Sequence, residues 1–210
     1  MNEQQHLETL TDIKRIMERS TRFMSLSGLG GIGAGISALV GAYFAWNILE
    51  SRGSSSYDAV ARGGESLLVI RLLMIAAAVL VAALGAGFYF TWKKAQRAGL
   101  PVWDAVARKV FINLMIPLAA GGLFIFGLLY NNELALIAPS CLVFYGLGLV
   151  NASKYTVTDI RYLGYAEILL GTLALFNLYH GLLFWALGFG VMHIIYGALM
   201  WWKYERVAAE

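Results

Sequence analysis

Residues 66–92 read SLLVIRLLMIAAAVLVAALGAGFYFTW, an apolar run that contains a single charged residue, Arg71. A bilayer core of about 30 Å is crossed by about 20 helical residues, so this run is long enough to span a membrane. Comparable apolar runs occupy 24–49, 108–130, 133–152, 159–179 and 181–202. The sequence therefore predicts an all-α fold, a bundle of six transmembrane helices.

The composition agrees with a membrane protein. Hydrophobic residues make up 59% of the chain and charged residues only 14%, whereas a soluble domain carries about a quarter charged residues. The net charge is +3, but the basic residues lie at the ends of the apolar runs and form no basic tract. The predicted partner is the lipid bilayer, and nucleic acid is not a predicted partner.

The chain divides into three predicted regions. Residues 1–23 are polar and form a predicted cytoplasmic amphipathic helix, because apolar side chains recur there with helical spacing. These side chains are Leu7, Leu10, Ile13, Ile16 and Met17. The apolar face of such a helix has to be covered by another surface. Two partners stay open for it, the lipid headgroups and a cytoplasmic protein. Residues 24–202 form the predicted six-span domain, with a flexible Gly- and Ser-rich loop at 50–65, and residues 203–210 form a short cytoplasmic tail.

The orientation follows from the positive charges. Most of the Lys and Arg residues between spans lie in the connections after the second and fourth spans and in the tail: Lys93, Lys94, Arg97, Arg108, Lys109, Lys154, Arg161, Lys203 and Arg206. Basic residues concentrate on the cytoplasmic side of a membrane. Both termini are therefore predicted to be cytoplasmic.

Small residues line one face of the first span. Residues 28–33 match the dinucleotide-binding pattern G-x-G-x-x-G, but no strand precedes them, so nucleotide binding is not predicted. Ser27, Gly31 and Gly35 instead form a stripe with a spacing of four, which lets two helices pack closely. The stripe could serve an internal helix pair or a homo-oligomer, and the sequence does not choose between them.

Two ionisable residues inside predicted spans carry the main functional hypothesis. Glu167 and His193 each lie 13 residues from His180, at the tip of the last predicted hairpin, and so share a depth on antiparallel neighbours. A charge inside a span costs at least a few kcal/mol unless it is paired or hydrated. Three interpretations remain open: a structural polar clasp, a proton-linked or ligand site, or two residues that never touch.

Other polar residues give weaker signals. Arg71 lies near the outer end of the second span, where its side chain can reach the interface, although a role in a site stays open. Asn113, with Asn151 and Ser153, could extend a polar pocket. His6 and His180 lie at different depths from His193, and Cys141 is the only cysteine, so neither a metal site nor a cofactor is predicted.

Four runs carry a resemblance to a known group of proteins. They are SLSGL (25–29), YGLGLVNASKYT (145–156), RYLGYAEI (161–168) and FWALGFGVMHIIYG (184–197). The chain resembles a family of uncharacterised multi-span integral membrane proteins of Bacteroidota-type bacteria. The resemblance implies a bacterial inner (cytoplasmic) membrane and supplies no activity.

Three functions are compatible with these features. The sequence favours a non-enzymatic membrane scaffold or regulator, because it contains the N-terminal helix and no recognisable catalytic motif. The alternative is a small proton-linked transporter or channel that uses Glu167 and His193. A membrane enzyme that acts on a lipid or isoprenoid is the least favoured hypothesis, and its candidate residues near the inner interface are Asp159, Tyr162 and Tyr165.

Overall fold

The structure, a computed structural model, describes residues 26–51 and 66–206. This part of the chain is helical throughout apart from short connections and contains no strand, which confirms the all-α class. The predicted N-terminal helix at 1–23, nearly all of the loop at 50–65, and residues 207–210 of the tail lie outside the described residues.

Six helical segments follow one another along the described chain. We label them α1 (Gly28–Glu50), α2 (Ser66–Arg97), α3 (Ala105–Tyr130), α4 (Ile137–Ala152), α5 (Asp159–Leu175) and α6 (181–206). Short 3-10 turns, Leu134–Leu136 and Leu178–His180, precede α4 and α6. Helix α6 alternates α-helical and π-helical stretches: Gly181–Trp185 (α), Ala186–Met192 (π), His193–Trp201 (α) and Trp202–Arg206 (π).

Within residues 26–51 and 66–206, five segments are long and apolar enough to cross a membrane: Gly28–Glu50, Ser66–Arg97, Ala105–Tyr130, Leu134–Ala152 and Leu178–Arg206. The sequence predicted six. The exception is α5, which has 17 residues. At 1.5 Å per residue it is about 25 Å long, less than the bilayer core. It stops before the predicted end at 179 because Asn177 leaves the helical conformation, with φ −137° and ψ 54°.

Other helix ends differ from the predicted spans at the connection between α2 and α3. Helix α2 continues past the predicted end at 92 to Arg97, and α3 begins at Ala105. Asp104 caps α3, since its carboxylate accepts a hydrogen bond of 2.6 Å from the Ala107 backbone N–H. The predicted tail is shorter as well, because residues 203–206 still belong to α6.

The helices pack in a definite order of neighbours. Helix α2 packs against α1, and α1 packs against α6. Helix α6 also contacts α4 and α5. Helix α4 packs against both α5 and α3. Helices α2 and α3 are therefore the flanks, and they expose large apolar side chains such as Val81 (71% exposed) and Leu123 (76% exposed). The interior lies between α1, α4, α5 and α6.

Glycines bring the backbones of the inner helices into contact. A Cβ built on Gly146 of α4 would lie 2.6 Å from the carbonyl oxygen of Gly164 of α5. A Cβ on Gly35 of α1 would lie 2.6 Å from the carbonyl oxygen of Gly190 of α6. Small residues permit such close helix approach. Two tight helix pairs thus enclose the polar side chains described next.

Candidate functional site

Glu167 occupies a position on the inward face of α5 that its helical repeat would reserve for an apolar residue. The buried positions of this helix recur every three or four residues: Ile160, Leu163, Gly164, Glu167, Gly171 and Ala174. Such a stripe faces the core of a helical protein. Glu167 follows the stripe inward and is fully buried, with 0% of its surface exposed.

His193 approaches Glu167 from α6, directly after the π-helical stretch. Its Nδ1 lies 3.4 Å from Glu167 Oε1, and only 6% of the residue is exposed. The same Nδ1 lies 3.1 Å from the carbonyl oxygen of Gly188, five residues earlier in the π-helical stretch. The wider π turn therefore supplies a backbone acceptor to the imidazole, and π-helical stretches often occur at functional sites.

Tyr145 of α4 completes the group. Its hydroxyl lies 2.8 Å from His193 Nε2, and the two rings stack with centroids 5.4 Å apart. We call Glu167, His193 and Tyr145 the buried cluster. Three different helices contribute one residue each, so any movement of α4, α5 or α6 changes its geometry.

The hydrogen bonds define where the protons lie. A carbonyl oxygen only accepts hydrogen bonds, so the contact with Gly188 places a proton on His193 Nδ1. In the neutral imidazole, Nε2 then accepts the hydrogen bond from the Tyr145 hydroxyl. With Nδ1 protonated, its N–H faces both the Gly188 carbonyl oxygen and Glu167 Oε1, and a further proton reaches the imidazole only at Nε2, from the side of Tyr145. The cluster therefore links Glu167 to Tyr145 through the two ring nitrogens of His193.

The carboxyl group of Glu167 is incompletely satisfied. Neither of its oxygens has a hydrogen-bond partner among the described residues, although both are buried. A Cβ at Gly188 would lie against Glu167 Oε2 and the side chain of Leu142, so the carboxyl group lies directly against the backbone of α6. Burying an unpaired polar group costs free energy, which favours a neutral carboxyl group or one paired with the imidazolium.

An apolar cavity lies close to the cluster. It has a volume of about 210 Å³ and is bounded by residues of α1, α2, α4 and α6, with Cys141 and Trp185 in its wall. The ring of Phe189 connects this wall to the cluster. Its centroid lies 5.4 Å from that of Trp185, 5.2 Å from that of Tyr145 and 6.0 Å from that of His193.

Two predicted site residues lie elsewhere. Arg71 is exposed on α2, whose main neighbour is α1. Asn113 donates a hydrogen bond of 2.8 Å to the carbonyl of Lys109, and its own carbonyl accepts one of 2.9 Å from Asn151. Asn113 and Asn151 thus connect α3 with α4 and are not part of the buried cluster.

The small-residue stripe of α1 faces α6. A Cβ on Gly31 would lie 3.2 Å from the Cα of Gly197, and Gly35 faces Gly190. Ser27 donates a hydrogen bond of 3.1 Å to Glu205. Of the two uses that the sequence left open, the structure places the stripe in an internal helix pair.

Sequence reasoning missed Tyr145 and the pair Lys94 and Glu205. Tyr145 lies 13 residues after Asn132, at the tip of the preceding turn, so the residue count that aligned Glu167 with His193 would also have found it. Glu205 accepts a hydrogen bond of 2.6 Å from the Gly28 backbone N–H, and Lys94 lies 3.5 Å from the same carboxylate. Glu205 therefore caps α1 from the end of α6, a contact that no local sequence signal predicts.

The comparisons with known proteins add no relative. No protein-family model, curated protein or solved structure matches the chain.

Proposed function

We propose that the protein is a six-span membrane protein of the bacterial inner membrane with both termini cytoplasmic. Helix α5 would be the sixth span, a proposal supported by its position against α4 and α6 and by its length of about 25 Å, which local bilayer thinning can accommodate. The exposed apolar faces of α2 and α3 suit contact with lipid. The distribution of Lys and Arg supports the orientation.

Within this protein, the function that the geometry supports best is the proton-linked passage of a small solute or ion. The observation that carries the proposal is the fully buried Glu167 carboxyl group, which lacks a hydrogen-bond partner among the described residues and lies 3.4 Å from His193. Ionisable residues inside membrane spans are costly, and they mark ion pathways and proton relays. In the buried cluster, Glu167 and Tyr145 lie against opposite ring nitrogens of His193, at 3.4 Å and 2.8 Å, which is the arrangement that a relay requires.

The surroundings of the cluster support a route to it. The apolar cavity reaches Trp185, and Phe189 separates this wall from Tyr145 and His193. A rotation of the Phe189 side chain would join the cavity to the cluster. Passage would therefore require movement at the π-helical stretch, where the backbone hydrogen bonding of α6 departs from the α-helical pattern.

Proton flux into proteoliposomes tests this function. The full-length protein is reconstituted with a pH-sensitive dye inside the vesicles, and a potassium gradient with an ionophore drives proton entry. Wild-type protein should acidify the lumen faster than protein-free vesicles, and Glu167→Gln should lose most of this flux. Glu133→Gln removes a carboxylate from the exposed turn before α4 and should keep it. Wild-type flux at the protein-free rate, or equal flux in Glu167→Gln, would contradict a proton path through Glu167.

A non-enzymatic membrane scaffold or regulator is the second candidate, and the close glycine contacts favour it. Gly146 against Gly164, and Gly35 against Gly190, hold two helix pairs at backbone contact, which suits a bundle that keeps one shape. In this alternative the buried cluster is a structural clasp, and residues 1–23 meet a protein partner. Wild-type vesicles would then show no flux, and deletion of residues 1–20 would change the proteins that co-purify with the chain.

A further inference from the structure

A second cavity lies between the start of α5 and the end of α6, at the end of the bundle away from the turns that join α3 to α4 and α5 to α6. Its volume is about 580 Å³, and its wall contains Asp159, Tyr162, Tyr196, Leu199, Met200, Trp202 and Lys203. We call it the inner cavity. It shares no wall residue with the apolar cavity near the buried cluster.

Charges of opposite sign meet in the wall of the inner cavity. Lys203 Nζ lies 2.9 Å and 3.2 Å from the two carboxylate oxygens of Asp159. The hydroxyl of Tyr204 donates a further hydrogen bond of 2.9 Å to Asp159. A carboxylate has about four acceptor positions, so these three hydrogen bonds leave one free. The Lys203 side chain is 59% exposed and that of Asp159 is 26% exposed, so both charges remain accessible to a ligand.

The wall is amphipathic along the axis of α6. Lys203 is the polar end, while Leu199, which is 52% exposed, lies one turn closer to the middle of the helix. Trp202 is 62% exposed and Tyr162 55% exposed. Aromatic side chains of this kind favour the headgroup level of a membrane. The cavity therefore offers a charged end beside an apolar path, which is the profile of one lipid molecule.

We propose that the inner cavity binds one zwitterionic phospholipid. The lipid phosphate binds the Lys203 ammonium, the positively charged group of the headgroup binds Asp159, and an acyl chain lies along Leu199. An anionic headgroup would bring its negative charge beside Asp159 without a cation to compensate, so the paired charges of the site select a headgroup that carries both signs. This site is independent of the proposed passage of protons.

Native mass spectrometry of the full-length protein in detergent tests the site. The protein is titrated with a phosphoethanolamine lipid, a phosphoglycerol lipid of the same acyl chains, and soluble glycerophosphoethanolamine. The expected result is a single adduct with the phosphoethanolamine lipid at about tenfold lower concentration than with the phosphoglycerol lipid. One charge-assisted hydrogen bond to Asp159 changes the affinity by about this factor. Soluble headgroup should bind far more weakly, because it lacks the chain that lies along Leu199.

Variants separate the two charges. Lys203→Gln should weaken binding of both lipids, whereas Asp159→Asn should weaken only the phosphoethanolamine lipid and abolish the preference. Leu199→Trp adds bulk to the wall without touching the ion pair and should prevent the adduct. This variant still tests the site if the Asp159 variant does not fold. Lys93→Gln, which removes an exposed lysine from α2, serves as the control and should bind normally.

Four results would overturn the proposal, and the first three concern the lipids themselves. They are equal affinity for the two lipids, tighter binding of the anionic lipid, and an adduct that survives both Lys203→Gln and Leu199→Trp. Binding of the soluble headgroup as tightly as the lipid would also overturn it, because the cavity would then recognise the headgroup alone.

Discussion

Replacing His193 with alanine is expected to lower the free energy of unfolding by about 3–5 kcal/mol, the cost of removing one partner from a buried pair. The reason is the position of Glu167, which is fully buried and has His193 as its ion-pair partner at 3.4 Å. Loss of the imidazole leaves the carboxyl group without that partner and also removes the acceptor of the Tyr145 hydroxyl. Unfolding in detergent, followed by circular dichroism, measures the loss.

A second substitution in the same background separates pairing from packing. Glu167→Met removes the charge at similar volume, so the double variant Glu167→Met, His193→Ala should regain at least part of the stability that His193→Ala loses. His180→Ala, at an exposed position before α6, is the matched control and should change stability little. A double variant that loses the sum of the two single effects would show that the two residues do not act as a pair.

Replacing Gly146 with alanine is expected to destabilise the protein by about 1–3 kcal/mol, the usual cost of overpacking a tight interior. The new Cβ would lie 2.6 Å from the carbonyl oxygen of Gly164 and 2.9 Å from the backbone nitrogen of Ile168. Backbone atoms cannot rotate away as a side chain can, so α4 and α5 must separate. Tyr145 precedes this glycine, and the separation should also disturb its contact with His193.

Gly122→Ala is the control for this substitution. A Cβ at Gly122, on α3, would meet no atom within 4 Å outside its own helix, so the added methyl group should have little effect or raise stability slightly. Both variants are compared by thermal unfolding in the same detergent. Equal melting temperatures for Gly146→Ala and Gly122→Ala would contradict the close contact between α4 and α5.

The apolar runs predicted the helices well because length and hydrophobicity determine them directly. The all-α class followed from those runs, and the apolar run at 66–92 lies within α2. The end of α5 was not predicted, because Leu175, Phe176 and Leu178 are as apolar as the helix before them. The turn at Asn177 depends on how the chain enters the next helix. Helix α2 likewise runs on to Arg97, since charged residues that end an apolar run are still good helix formers.

The candidate site was partly predictable for a related reason. Counting residues from the tip of a hairpin gives the distance of a side chain from that end of the bundle. This count placed Glu167 and His193 at the same level, since each lies 13 residues from His180. Depth does not give the direction in which a side chain points. Gly164, on the helix of Glu167, faces α4, and Gly190, on the helix of His193, faces α1, so the packing of the helices sets the partners of these glycines. The π-helical stretch that supplies the Gly188 carbonyl is set by tertiary packing, and no residue pattern predicts it.

Isotope-edited infrared difference spectroscopy of labelled glutamate, recorded between acid and alkaline pH in lipid, tests the central claim most directly, because it observes the proton on the buried carboxyl group. We predict one protonated carboxyl band that exchanges slowly in heavy water. This band should be absent in Glu167→Gln, shifted in His193→Gln and unchanged in Glu133→Gln. A wild-type spectrum without such a band, or a band that survives in Glu167→Gln, would contradict a proton on the buried Glu167 carboxyl group.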